Sequence, residues 1–560
     1  MGAFKGLETD TAALHAETLS DARPLFEPFD LRAEGGLVVD ADGYVHELRH
    51  PYWGNEEDAI ADRAIKLPIR AEWDEAGEVR LTWEGQPFNP ARPSTGVESE
   101  VSVMHQTAWF PVSPDGRVVA YPDGTTEPLA DLGLDPEALD IMVEGKNQQI
   151  TYGTEELRRE TIRSAARLDR WLEQHDLTTP ALSLHPDAFT QGQINKLPYV
   201  QKTTDAMPQI AEFGTMSNQL HVQMLSPEAA QHAMNAYQRV QAVFGLVTAA
   251  APARDGSFDT TIGEHYRFGD LPEKQAGELL DPTLPAHDFA ALLQHVRPHD
   301  WRELARVIGS PSAGALPEAA PVSLKTLLQL GDHRLRDGSV VTLGRALGWH
   351  ADRLRLDKGT IEVCNLGTAG GNLRKASAVQ EVVTKYLTAE QLRYAIMTSE
   401  QRDAQRDTYQ HDITMGHHNN VNAALWGRKA KLYSFDGQLV TPQQMLRDVL
   451  AFTDRYSPEP VSQTAREELE AIFAETPAYE TPEEVFAAFF RPNSTMTATD
   501  ALRYAHELAP EVASNDMFGR FAAYRRAQVY DLEAELQAQE EQEELEGLVA
   551  AGTGALALSN

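Results

Sequence analysis

The sequence predicts an α+β protein, and three observations carry that reading. Strand-like segments with period-two alternation recur at Gly96–Val103 (GVESEVSV), Asn218–Met224 (NQLHVQM) and Gly359–Gly367 (GTIEVCNLG). Helical spacing of apolar residues separates them, as in Thr154–His175, where Leu157, Ile162, Ala165, Leu168 and Leu172 recur on one side. From Thr441 onward the pattern is helical alone.

The chain has 560 residues. At about 100–200 residues per domain that is two to four units. Three regions follow from the patterning: an N-terminal extension over 1–93, a mixed region over 94–440, and a helical C-terminal region over 441–560. Residues 1–34 read as a helical, acidic lead-in. In GLVVDADGYVHEL, Asp42-Gly43 sits between two β-rich runs, a hairpin signature. EVRLTW (Glu78–Trp83) alternates as a further strand, and the turn formers of PFNPARPSTG mark a boundary near residue 90. DIMVEG, ending in Glu144-Gly145, is a fourth acid-bearing strand ahead of the Thr154 helix. Ser226-Pro227-Glu228 opens the next helix, with serine as cap and proline in the first turn. Gly309–Pro321 is a loop or insertion, and Ala376–Leu387 and Thr388–Met397 are helical. The terminal run DLEAELQAQEEQEELEGLVAAG sustains too few heptads for a coiled coil, so a solvated helix with a frayed end is expected.

Net charge is −35, which repels nucleic-acid backbones and anionic lipid alike. The single cysteine, Cys364, cannot form an internal disulfide. The N-terminus lacks a basic segment followed by an apolar one, and the most apolar stretch, Val243–Ala253, is too short to span a bilayer. These features predict a cytoplasmic protein that engages neither nucleic acid nor membrane; a homo-oligomer stays open.

The strands carry the chemistry. In Gly96–Val103, Val97, Val101 and Val103 share one face while Glu98 and Glu100 share the other. Two carboxylates spaced in this way repel, so a positive charge or water must compensate. His221 and Gln223 lie opposite Leu220, Val222 and Met224; Glu362 and Cys364 lie opposite Ile361 and Val363. If these strands are neighbours, Glu98, Glu100, Glu144, His221 and Glu362 converge. Hard oxygen donors gathered in this way suit Mg²⁺ or Mn²⁺, and two such ions suit a nucleoside triphosphate. One glutamate alone would be an ordinary solvated residue; the recurrence of the alternation is what argues for a site.

In order along the chain, GVESE, the apolar-Glu strand, the helix, SLHP, QLHVQ, a Tyr-Arg pair and GTIEVCNLGT resemble the carboxylate–amine ligases of the glutamate–cysteine ligase type 2 group, in the glutamine synthetase-like superfamily. The resemblance covers about residues 94–440 and fits best at Gly96–Glu100, Gln219–Gln223 and Gly359–Leu387, more loosely at Asn419–Leu432. It implies a curved antiparallel sheet backed by helices. It also implies ATP and metal in the mouth of that sheet, and an amide formed from a small carboxylate and an amine through an acyl phosphate. Position by position, it implies that Glu98, Glu100, Glu144 and Glu362 bind metal and that His221 serves the metal and phosphate site. Arg267 then stabilises the transferring phosphoryl group. Gln149 is the alternative to Glu144. This chain has Gln223 where the family has histidine, Cys364 where it has arginine, Gly367 near an expected aspartate and Leu425 near an expected arginine. Glutamate and cysteine therefore fit poorly as substrates. Same-fold hydrolysis of an amide or isopeptide bond, or nucleotide binding without turnover, are the alternatives.

Four further features have an ordinary reading beside a functional one. Cys364 would share its face with carboxylates, which raise a thiol and disfavour a nucleophile. His417-His418 point apart on any regular element, so capping or packing suits them better than metal binding. GTAGGN (Gly367–Asn372) lacks the Walker lysine, although it opens a helix whose N–H groups could hold an anion. Lys146, Arg374 and Lys375 are candidate phosphate contacts, with ordinary solvation as the default.

Overall fold

The computed structural model describes residues 88–105, 142–183, 216–250, 358–402 and 426–557 with few breaks, plus short strands elsewhere and scattered residues within 404–423. It is a mixed structure of helices and antiparallel sheet. Strands β1 (Leu37–Val39), β2 (Tyr44–Leu48), β3 (Ala64–Trp73) and β4 (Val79–Trp83) form an antiparallel meander in that order. Val39 pairs with Val45, the hairpin that Asp42-Gly43 predicts, and β4 is the predicted EVRLTW strand. Sequence reading passes over β3, whose run is interrupted by Pro68, a residue without a ladder donor.

The central sheet uses β5 (Ser94–Ser102), β6 (Leu134–Pro136), β7 (Met142–Lys146), β8 (Thr151–Tyr152), β9 (Asn218–Gln223), β10 (Arg353–Arg355) and β11 (Thr360–Val363). The order is β6-β7-β5-β9-β11-β10, with β8 also against β5, and every pairing is antiparallel. The three alternating segments and the Glu144 strand are thus adjacent, although far apart in the chain.

One face of the sheet is apolar. Val97, Leu220, Val222, Ile361 and Val363 bury against helices α1 (Thr154–Gln174), α2 (Pro227–Val247) and α3 (Leu373–Ile396). Each such side chain contributes about 1.5–3 kcal/mol relative to exposure, which fixes the register and turns the alternate residues outward. Ser226 caps α2 by accepting from the Ala229 N–H at 3.1 Å, as predicted. The two predicted helices over 376–397 are one, α3, whose buried residues lie on nearly every side.

Helices α4 (Pro442–Tyr456), α5 (Gln463–Ala471), α6 (Pro482–Phe489), α7 (Ala498–Leu508) and α8 (Ser514–Ala557) complete the chain. Here the structure corrects one expectation. The glutamate run of α8 is not merely solvated, because it lies along an arginine row on α1. Arg170 Nη1 meets Glu533 at 2.5 Å, Arg159 meets Glu543 at 2.8 Å, and Arg163 binds Glu540. Upstream, Phe518, Phe521, Val529 and Leu532 are buried. Among the described residues, no helix is long and apolar enough to cross a membrane.

Candidate functional site

Register aligns the outward face of the central sheet. Glu144 stands opposite Glu100, and Lys146 opposite Glu98. On the other side of β5, Gln219 stands opposite Glu98 and His221 opposite Gly96. His221 also stands opposite Glu362 on β11. Gly96 has open space where a side chain would be, so nothing from β5 covers the His221 ring at that position. Period two on four antiparallel strands is sufficient to place all five predicted metal residues on one face.

Three of the five meet at one point. His221 Nε2 lies 3.3 Å from Glu362 Oε1 and 3.6 Å from Glu98 Oε1, and one donor atom from each residue lies within 4.8 Å of the others. Glu362 is fully buried and His221 nearly so. The other ring nitrogen, Nδ1, is 3.1 Å from Thr360 Oγ1, which orients the ring. Two carboxylate oxygens and an imidazole nitrogen form a donor set that fits a divalent cation, with Mg²⁺ or Mn²⁺ favoured by the oxygens.

Glu100 and Glu144 form a second pair beside this triad. Glu100 accepts from the Ser217 N–H at 2.7 Å, from Ser217 Oγ at 3.1 Å and from Gln219 Nε2 at 2.6 Å. Burial nonetheless pushes its carboxyl up to about 7, against those hydrogen bonds and with some help from Glu98. Burial pushes Glu144 up to about 8, reinforced by Glu98 and opposed by Lys146. Glu98 behaves in the opposite way. Burial would raise it, but His221, Lys358 and Lys146 outweigh that and hold it well below the usual carboxylate range. Glu98 thus stays charged, while Glu100 and Glu144 are prone to protonation because burial outweighs their partners.

The remaining predicted residues divide. Lys146 is at the site, bound to Asp135 at 2.6 Å and Glu144 at 3.0 Å. Gln223 shares the face, and its Oε1 accepts from the Ser94 N–H at 3.0 Å. Arg374 is elsewhere, paired with Glu535 of α8 at 2.9 Å. Lys375 is fully buried and donates to the Ser494 carbonyl at 2.7 Å. Both leave the site because the α3 turn that carries them faces the C-terminal helices and not the sheet mouth. The GTAGGN turn is not an open anion cradle. The Leu373 N–H donates to Gln528 Oε1 at 3.1 Å and the Lys375 N–H to Asn372 Oδ1 at 3.2 Å. Asn419 is a packing residue, its Nδ2 donating to the Arg239 and Tyr433 carbonyls at 3.0 Å. Cys364 is half-buried. Arg267, His417, His418 and Leu425 lie outside the described residues.

Sequence reading missed five participants: Ser217, Gln219, Thr360, Lys358 and Asp135. Lys358 Nζ lies 3.0 Å from Glu98 Oε1. Gln219 and Thr360 share the period of His221 and Glu362, so the alternation already marked them. Lys358 sits in the turn before β11, and Asp135 on a strand with no sequence signal. By register, Arg353 stands opposite Glu362 and Arg355 opposite Thr360.

No protein-family model matches the chain. No curated protein matches it either. Among solved structures, it is similar to a bifunctional glutathione synthetase from Pasteurella multocida, at 14% identity and a TM-score of 0.43. The likeness covers 79% of this chain and 52% of that one, so the chain spans about half the length of the structure it matches. A likeness that loose carries no argument about what this chain binds or does.

Proposed function

We propose that this chain is an ATP-dependent ligase that joins a small carboxylate to an amine, with Mg²⁺ or Mn²⁺ held by Glu98, His221 and Glu362. The convergence of those three donors from three strands, within 4.8 Å of one another, carries the reading. The resemblance of the segments around Gly96–Glu100, Gln219–Gln223 and Gly359–Leu387 to carboxylate–amine ligases supplies the reaction.

When bound, the cation neutralises the triphosphate oxygens and so lowers the cost of attack at the γ-phosphorus. The chain does the rest. Thr360 holds the His221 ring in place. Glu100 and Glu144 release protons as positive charge arrives, which makes them the natural holders of a second cation. Lys358 and Lys146, both half-exposed at the rim, exchange their carboxylate partners for phosphate oxygens. Arg267 is assigned to the transferring phosphoryl group on the resemblance alone. The substrate carboxylate attacks the γ-phosphorus and ADP leaves; the amine then attacks the acyl carbon and phosphate leaves. Gln223 and Cys364 stand where the family has histidine and arginine, so the substrates proposed are not glutamate and cysteine.

The test is ADP release from the full chain with ATP, Mn²⁺ or Mg²⁺, and pooled carboxylates and amines. Release that requires both pools and disappears in Glu362→Gln supports ligation. Amide loss without ATP consumption, or nucleotide binding without turnover across the pools, replaces it with the hydrolase or the non-catalytic reading.

A further inference from the structure

Behind the central sheet, on the side away from the triad, lies a cavity of about 130 Å³. Strand β5 separates the two: Ser99 and Val101 line the cavity, while Glu98 and Glu100 face the other way. The opposite wall comes from α1, the start of α3, and Arg525 of α8.

The lining is chemically one-sided. Lys146 touches its edge but turns its ammonium to Asp135 and Glu144 on the other face. Arg167 and Arg525 contribute to it, each with a carboxylate partner outside the cavity, Glu160 and Asp169, and among the described residues no aspartate or glutamate lines it. That is unusual in a chain whose net charge is −35. Among the described residues, two donors of the lining have no hydrogen-bond partner: Arg525 Nε and Asn147 Nδ2 are both buried and unbonded. Arg525 is 3% exposed, and its Nη1 is already committed to Asp169 Oδ1 at 2.5 Å, which fixes where Nε lies. The fold keeps this arrangement by placing Gly371 against it. A Cβ there would lie 2.3 Å from Arg525 Nε, and its φ of +67° also calls for glycine. Buried donors without acceptors are rare in folded proteins and call for an occupant. Leu134, Leu168 and Trp171 supply apolar lining to the same cavity.

From this we infer that the cavity behind the sheet is a binding site for a small carboxylate, independent of the reaction proposed above. Its two oxygens accept from Arg525 Nε and Asn147 Nδ2, and its short apolar body packs on Leu134, Leu168 and Trp171. The volume sets the size, since a cavity of about 150 Å³ holds benzene, with six heavy atoms. Butanoate and 3-methylbutanoate are of that size.

Calorimetric titration of the full chain with sodium butanoate and sodium 3-methylbutanoate tests the site, with inorganic phosphate as the comparison anion. Saturable binding of the carboxylates is expected. Asn147→Ala weakens it about tenfold, the usual effect of losing one hydrogen bond to a charged group. Ala165→Leu fills the cavity and abolishes it, with circular dichroism confirming the fold. Should that variant not fold, Leu168→Ala enlarges the cavity and shifts preference to the longer acid. Glu362→Gln leaves binding unchanged, because it acts on the other face. Absence of saturable binding, phosphate binding as tightly as the acids, or binding that persists in Ala165→Leu overturns the inference. So does loss of binding in Glu362→Gln, which would place the carboxylate at the triad.

Discussion

Replacing Thr360 with valine removes one oxygen and keeps the shape of the side chain. That oxygen lies 3.1 Å from His221 Nδ1. When Nδ1–H donates to it, the Nε2 lone pair is aimed at the point where Glu98 and Glu362 meet. Without it, the ring is free to carry its proton on Nε2 and donate to the carboxylates at 3.3 and 3.6 Å. A cation must then displace that proton and restore the other tautomer. Outer partners of this kind change metal affinity by about 10–100-fold, or about 1.4–2.7 kcal/mol. The fold loses one partly buried hydrogen bond, about 0.5–1.5 kcal/mol, so the variant remains folded. The assay is Mn²⁺ titration of wild type, Thr360→Val and Thr360→Ser, reading free Mn²⁺ by electron paramagnetic resonance, with urea midpoints run in parallel. Serine restores the hydroxyl and is expected to restore most of the affinity. If Thr360→Val binds Mn²⁺ as wild type does while Glu362→Gln loses it, the tautomer argument is wrong even though the triad stands.

Stability should fall as pH rises from about 4.5 to about 8 without metal. Glu100 and Glu144 hold protons up to about 7 and 8 in the fold, against 4.5 as the ordinary value. The native chain therefore binds more protons across that window, and the benefit is complete only below it. Glu98, held low, contributes above its ordinary value and does not reverse the slope. Urea midpoints at about pH 5.5 and 8.5 measure this, and a double Glu100→Gln/Glu144→Gln variant with an unchanged slope refutes the assignment. Reversing charge at Glu533, Glu540 and Glu543 together should lower the melting temperature by several degrees in low salt, each pair being worth about 0.2–1 kcal/mol. The deficit should shrink in about 1 M salt, where the Debye length is about 3 Å; an equal deficit at both salts would mean that packing, not charge, joins α8 to α1. Gly370→Ala places a Cβ 2.4 Å from the Ala498 Cβ at a φ of +59°, so a loss of about 2–4 kcal/mol is expected in urea denaturation. A loss below about 1 kcal/mol would show that α7 yields more easily than its packing implies.

Period two is a local property, and it was legible. Alternation alone put Glu98 with Glu100, His221 with Gln223, and Glu362 opposite Ile361 and Val363, and the pleat obliged. The helix cap was legible for the same reason: Ser226 acts on Ala229, three positions away. The order of the strands was not local. Nothing in the sequence states that β9 lies between β5 and β11, which is what gathers the triad. Nor does local pattern show that Arg374 would meet Glu535, or that the terminal glutamates would find the arginines of α1, since each of those rows reads separately as a solvated helix face. Thus the sequence by itself determined which side chains share a face of each strand. Only the tertiary structure decided which strands are neighbours, which carboxylates touch His221 and which are left to hold protons, and that a cavity lined by two arginines lies behind them. Face is set by the geometry of a single residue pair, whereas adjacency is set by burial summed over the whole sheet.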